Sequence, residues 1–252
     1  MSHPLSDRVV IITGAGSGIG RACAHICASQ GARLALVDLR DDGLNEVKGE
    51  LLGAGVSESN LLTMAASIRD EADMQRMAEQ TIARFERIDA LVACAGILRV
   101  GSELKTVADT TLEAWNTIVE TNLTGTFLSN RAVLPAMMEQ REGDIINISS
   151  TSGLKGRPFD GSYCASKFGI VGLTESLAEE VSRYGIRVQT VLPDAVATPL
   201  WDQNGPGALK PAQTLPAERV GEFIAYLLAM PRDTYLMNPV IAPFKAKKRR
   251  KG

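Results

Sequence analysis

Apolar residues fall along this chain in two alternating patterns. Short runs that are apolar almost throughout, such as Val9-Val10-Ile11-Ile12, are separated by longer stretches whose apolar positions return every three or four residues. The short runs predict strands at Arg8–Ile12, Arg33–Val37, Leu61–Ala65, Asp89–Cys94, Asp144–Ile148 and Arg187–Leu192. The longer stretches predict helices from the end of the first glycine-rich loop to about Gln30, over Asp41–Leu52, from an Asp70 cap to about Arg87, over Thr111–Gln140, and over Ser162–Tyr184. Runs without polar alternation indicate strands covered on both faces. Strand and helix alternating throughout predict an α/β fold built on one parallel, doubly wound sheet with helices on both faces. No second domain or repeat interrupts the pattern over residues 1–244.

Composition narrows the function classes. The 252 residues carry a net charge of −2, which gives no electrostatic case for nucleic acid. No apolar run reaches membrane-spanning length, and Met1–Arg8 is too short and polar for a targeting segment, so a cytoplasmic protein is expected. Cys23, Cys27, Cys94 and Cys164, with two histidines in the whole chain, read as buried reduced thiols and not as a metal site. Lys245–Lys251 holds six basic residues in seven, and 245–252 reads as a solvated, disordered end.

The first strand runs into Thr13-Gly14-Ala15-Gly16-Ser17-Gly18-Ile19-Gly20 and then a helix. Strand, glycine loop and helix together aim main-chain N–H groups and a helix N-terminus at a pyrophosphate. The second strand ends in Asp38, about 20 residues on, where a carboxylate can accept from both adenosine ribose hydroxyls and repel a 2′-phosphate. Neutral Leu39 and Ser17 supply no charge for such a phosphate, so NAD is expected over NADP; Arg40 works in the other direction. Small residues at Cys94, Ala95 and Gly96 leave room for a cofactor ring.

Tyr163 and Lys167 are four residues apart and share one helix face. A cation ~4 Å from a phenolate contributes roughly 4 kcal/mol at an effective dielectric near 20, enough to bring a phenol from ~10 toward neutrality. Such a phenol is a good acid–base catalyst, although an exposed Tyr and Lys would show the same spacing.

Taken jointly, Thr13-Gly14-x-x-x-Gly18-Ile19-Gly20, Asp38, Asn122, Ser150, Tyr163 and Lys167 resemble the motifs of a classical short-chain dehydrogenase/reductase, from about Ser6 to Pro243. The thirteen positions between Ser150 and Tyr163 agree with that family. The resemblance implies a Rossmann-type fold, Tyr163 as proton donor and acceptor, Ser150 orienting the substrate oxygen, and Lys167 on the nicotinamide ribose. It implies that Asn122 holds a relay water, and it extends the cofactor set to Ser67, Ile68, Pro193, Val196 and Thr198. It further implies a last strand at Val240 and Ile241, and assembly as a homotetramer or homodimer through the helices Thr111–Gln140 and Ser162–Tyr184. Departures stand at Ala93-Cys94, where the family has two asparagines, at Ser67, where many members have an aspartate, and at Asp194, where a glycine is usual.

Residues 199–216 have no periodicity and read as a substrate lid carrying Trp201; Leu154, Lys155 and Arg157 are further candidates for the pocket mouth. The function expected is NAD(H)-dependent interconversion of a secondary alcohol and a ketone. Two alternatives are reduction of a carrier-bound 3-oxoacyl or polyketide ketone, and a non-catalytic dinucleotide sensor.

Overall fold

The structure, a computed structural model, describes residues 4–205 and 211–244. Seven parallel strands form one sheet in the order β3-β2-β1-β4-β5-β6-β9. They are β1 Val9–Thr13, β2 Arg33–Asp38, β3 Leu61–Ala65, β4 Ala90–Ala93, β5 Gly143–Ile148, β6 Ile186–Pro193 and β9 Val240–Ile241. A separate two-residue ladder joins β7 Val196–Ala197 to β8 Leu215–Pro216. The helices are α1 Gly18–Ser29, α2 Asp41–Gly53, α3 Glu71–Phe85, α4 Leu112–Val119, α5 Gly125–Gln140, α6 Gly161–Val181 and α7 Ala217–Ala229.

The unbroken apolar runs are explained by two cores, one on each face of the sheet. Successive residues of a strand point to opposite faces. Val10 and Ile12 pack with Cys23 and Cys27 of α1, Leu44 of α2 and Ile224 of α7. Val9 and Ile11 pack with Met74 and Met77 of α3, Val133 of α5 and Leu177 of α6. Both sets are buried, so neither strand position is left for a polar residue. The strand order reverses between β1 and β4, and a cleft opens there at the carboxyl ends of the strands, where such sheets bind ligands.

At the opposite ends of the strands lies a charged hub. Asp144 of β5 is fully buried and takes three guanidinium groups: Arg8 at 2.5 Å, Arg187 at 2.7 Å and Arg232 at 2.8 Å. A carboxylate this far from water is tolerated only with such pairing.

Two expectations change. The helix expected over Thr111–Gln140 is broken by a wider turn, Glu120–Thr124, with five-residue hydrogen-bond spacing. Gly125, just after it, lets Ile68 pack close, because a Cβ there would lie 2.6 Å from Ile68 Cδ1. Asn122, within this turn, is fully buried. The segment 199–216 is not aperiodic throughout: Pro199–Asn204 forms a short 3-10 helix, and the β7–β8 ladder closes its base. Helix α7 was not anticipated, although Val220, Ile224, Leu227 and Leu228 carry helical spacing and are buried. The end 245–252 and residues 206–210 lie outside the described residues.

Candidate active site

Glycines shape the adenosine end of the cleft. Gly14 has φ +68, and a Cβ on it would lie 2.8 Å from the Ala95 main chain; one on Gly20 would lie 2.1 Å from the Gly14 carbonyl oxygen. The loop can therefore sit flush against β4 only with bare main chain at these points. Asp38, at the end of β2, accepts from the Gly16 N–H through Oδ2 at 3.0 Å and from the Arg40 N–H through Oδ1 at 3.0 Å. These bonds fix the carboxylate toward the loop, and each oxygen keeps a lone pair for a further donor. The cavity has a volume of about 1000 Å³ and runs from this cradle past Ser67, Ile68 and Cys94 to Ser150, Tyr163 and Trp201. Its size, its cradle and the carboxylate fit a dinucleotide.

Every residue expected to contact the cofactor lines this cavity: Gly14, Ser17, Gly18, Ile19, Gly20, Asp38, Leu39, Ser67, Ile68, Cys94, Ala95, Gly96, Tyr163, Lys167, Pro193, Val196 and Thr198. Ser150 and Trp201 line it too. Leu154 does not; it is 52% exposed and outside the cavity wall, because the turn Thr151–Gly153 carries it outward. Lys155 is likewise absent from the wall.

Tyr163 is buried against Leu98 and Ile118, with Ile97, Leu200 and Trp201 packed around them. Burial pushes its phenol up to about 12, while a hydrogen bond with Ser150 pulls the other way. Lys167 is held between the Tyr163 ring and the end of β5. Its Nζ donates to the Ile148 carbonyl at 2.9 Å and stands 5.6 Å from the centre of the Tyr163 ring. Burial lowers the ammonium to about 8, opposed by the neighbouring Cys94. The Cys94 thiol is pushed up to about 12 by the same burial.

Asn122 works as a clamp on the loop after β4. Its side chain accepts from the Ile97 N–H at 2.8 Å, donates to the Ile97 carbonyl at 2.8 Å, and donates to Ser166 Oγ at 3.0 Å. Ser166 Oγ in turn donates to the Tyr163 carbonyl at 2.7 Å. The side-chain amide thus joins the loop to the Tyr163 helix. Ser149 and Ser150 both line the cavity, but the Ser149 hydroxyl is engaged, donating to the Lys167 carbonyl at 2.8 Å.

Charges at the substrate end were only partly foreseen. Arg157 lines the cavity, but it is paired with Asp194 at 2.7 Å, and Thr151 Oγ1 donates to the same carboxylate oxygen at 3.0 Å. Arg99 pairs with Asp160 at 2.6 Å, three residues before Tyr163. Gln203 and Leu98, also in the wall, carry no motif that sequence alone could flag. Among the described residues no group of three or more histidine, cysteine or acidic side chains could hold a metal, and no helix is long and apolar enough to cross a membrane.

Comparison with known proteins places these features. The model of the family described as short chain dehydrogenase matches residues 8–208. Levodione reductase of Leifsonia aquatica is 37% identical over 94% of this chain and 92% of its own length. D-threitol dehydrogenase of Mycolicibacterium smegmatis is 38% identical over 82% of this chain and 78% of its own. An uncharacterised NAD-dependent oxidoreductase of Mycobacterium tuberculosis is 36% identical over 78% of this chain and 74% of its own. The crystal structure of levodione reductase superimposes with a TM-score of 0.84 at 33% identity, covering 94% of this chain and 96% of that one. With its parallel sheet, glycine cradle and Ser150–Tyr163–Lys167 cluster, the chain belongs to the short-chain dehydrogenase family of oxidoreductases.

Proposed function

We propose that the protein interconverts a secondary alcohol and a ketone with NAD(H), Tyr163 acting as acid and base. The observation that carries this reading is the cleft itself: Asp38 and the glycine cradle lie at one end, and Ser150, Tyr163 and Lys167 converge at the other. When bound, the nicotinamide supplies or takes up the hydride at the carbonyl carbon.

The chain's own residues do the rest. Asp38 accepts from the adenosine ribose hydroxyls. Lys167, buried with its Nζ at the cavity wall, donates to the other ribose. Ser150 donates to the substrate oxygen and holds it within reach of the Tyr163 hydroxyl. At neutral pH the phenol, held near 12, keeps its proton and is ready to give it to a carbonyl oxygen during reduction. Asn122 keeps the loop under Leu98 and the Tyr163 helix in register, so its part in a water relay would fall to its main chain, whose carbonyl accepts from Thr126 Oγ1 at 2.7 Å.

A carrier-bound substrate gains no support, since Arg157 is neutralised by Asp194 and Lys155 is outside the wall. Nor does a sensor role need the convergence of Ser150, Tyr163 and Lys167. Self-association through α4, α5 and α6 belongs to the same proposal, supported by exposed Leu112, Phe127 and Phe168 on those helices.

The test is a panel of secondary alcohols and ketones assayed with NAD(H) and NADP(H), on the wild type and on Tyr163→Phe. Turnover in the variant should fall by ~10²–10⁴ with dinucleotide affinity retained. A variant that keeps most of its activity removes Tyr163 from the chemistry.

A further inference from the structure

Two segments far apart in the chain meet above Tyr163, and one side chain fastens them. Gln203 Oε1 accepts from the Leu98 N–H at 2.8 Å and from the Arg99 N–H at 3.2 Å. Gln203 belongs to the turn Pro199–Asn204, and Leu98 to the loop after β4. Leu98 is buried against Tyr163, and Leu200 and Trp201 from the turn pack on the same cluster. The Trp201 indole N–H donates to the Val196 carbonyl at 2.7 Å, which fixes the ring with its apolar face toward that cluster. At the turn's end, a Cβ on Gly205 would lie 2.8 Å from Ser102 Cβ, so the two segments are in direct contact there as well.

Two ion pairs flank this chamber. Arg99 pairs with Asp160, and Arg157 with Asp194. An amide oxygen suits the junction, because it accepts from two main-chain N–H groups without adding a charge beside those pairs.

We propose that Gln203 is a specificity-determining positioning residue. By holding Leu98 against Leu200 and Trp201, it shapes a chamber over Tyr163 for a neutral ketone or alcohol with a compact apolar body. This rests on the alcohol–ketone reading above.

Gln203→Leu removes the acceptor at similar size, and Gln203→Glu restores it. Each variant is compared with the wild type for kcat and KM on cyclohexanone and on levulinate, a ketone bearing a carboxylate. NADH affinity and hydrogen exchange of the peptide containing residues 97–99 are measured in parallel. The wild type should favour cyclohexanone. Gln203→Leu should raise its KM about tenfold with kcat changed less than about threefold, as expected for one lost contact of ~1.4 kcal/mol. Exchange at Leu98 and Arg99 should accelerate by about tenfold or more, NADH affinity should hold, and Gln203→Glu, which keeps the acceptor but adds a charge, should recover the protection. Unchanged KM and unchanged exchange in Gln203→Leu overturn the proposal, as does a wild type that prefers levulinate. A wild type that binds NADH yet turns over no alcohol or ketone sinks the reading of the reaction. In that case the exchange comparison still decides whether Gln203 joins the two segments.

Discussion

Lys167→Met should make the protein more stable in the absence of dinucleotide while stripping it of turnover. Lys167 is 5% exposed, and burial has lowered its ammonium from 10.5 to about 8 with no carboxylate among the causes. At ~1.36 kcal/mol per pH unit, that depression amounts to about 3 kcal/mol of destabilisation at neutral pH. The cost is present in full below pH 8, where folded and unfolded lysine both carry the proton. Between pH 8 and 10.5 the folded lysine releases its proton and the unfolded one keeps it, so stability rises with pH. Methionine fills a similar length without charge but leaves the Ile148 carbonyl without its donor, which costs about 1–2 kcal/mol. The variant should therefore gain about 1–2 kcal/mol at pH 7 and lose that advantage by about pH 10. Urea denaturation of both proteins at the two pH values, without dinucleotide, measures the difference; Tyr163 is common to both and largely cancels. Added NADH should stabilise the wild type by more than the variant. A variant no more stable than the wild type at pH 7, or a gap that does not move with pH, refutes the reasoning.

Two further outcomes follow from the cleft and its supports. Asp38→Ser combined with Leu39→Arg should reverse a preference for NADH, because charge-assisted bonds of ~1.5–3 kcal/mol correspond to about ten- to several-hundred-fold; kcat/KM with both cofactors is the readout, and a wild type that prefers NADPH defeats the assignment of Asp38. Asn122→Leu strands the Ile97 N–H and carbonyl in a partly buried position and should cost about 2 kcal/mol in urea denaturation, a loss below about 0.5 kcal/mol showing that the clamp carries little.

Local physics made much of this legible. A buried strand has no polar alternation, so β1 and β2 stood out, and Gly14, Gly18 and Gly20 were visible because only glycine meets their backbone demands. The acidic end of β2 and the four-residue step from Tyr163 to Lys167 are likewise properties of short segments. What escaped depends on distance. Around the break at Glu120–Thr124, Ile68 packs close over Gly125 and Ile97 bonds the Asn122 amide, neither near in sequence. Helix spacing placed Lys167 beside Tyr163, but that its ammonium also donates to the Ile148 carbonyl depends on a strand far off in sequence. Arg157 could be named as a candidate for the pocket mouth, but its pairing with Asp194, just after β6, depends on the fold. Gln203 bears no signature at all, since its meaning arises only when a loop a hundred residues earlier lies beneath it.

The hub at Asp144 has a consequence for how the molecule comes apart. Arg8 enters it from the residue just before β1, and Arg232 from the segment that follows α7. The terminal strand β9 is two residues long and on its own would fray readily, but its partner pairs include Pro193, and Ile241 accepts from the Asp194 N–H at 2.9 Å. The carboxyl-terminal segment is thus anchored at both ends of β6, to a buried anion at one and beside the reacting groups at the other. Peeling it away uncovers a charge shared with the first strand, so the late segment and the early one should open together and not in succession. Proteolytic trimming from the carboxyl end past Arg232 would then be felt as loss of the whole sheet's cooperativity, and the hydrogen-exchange protection of β1 would fall with it.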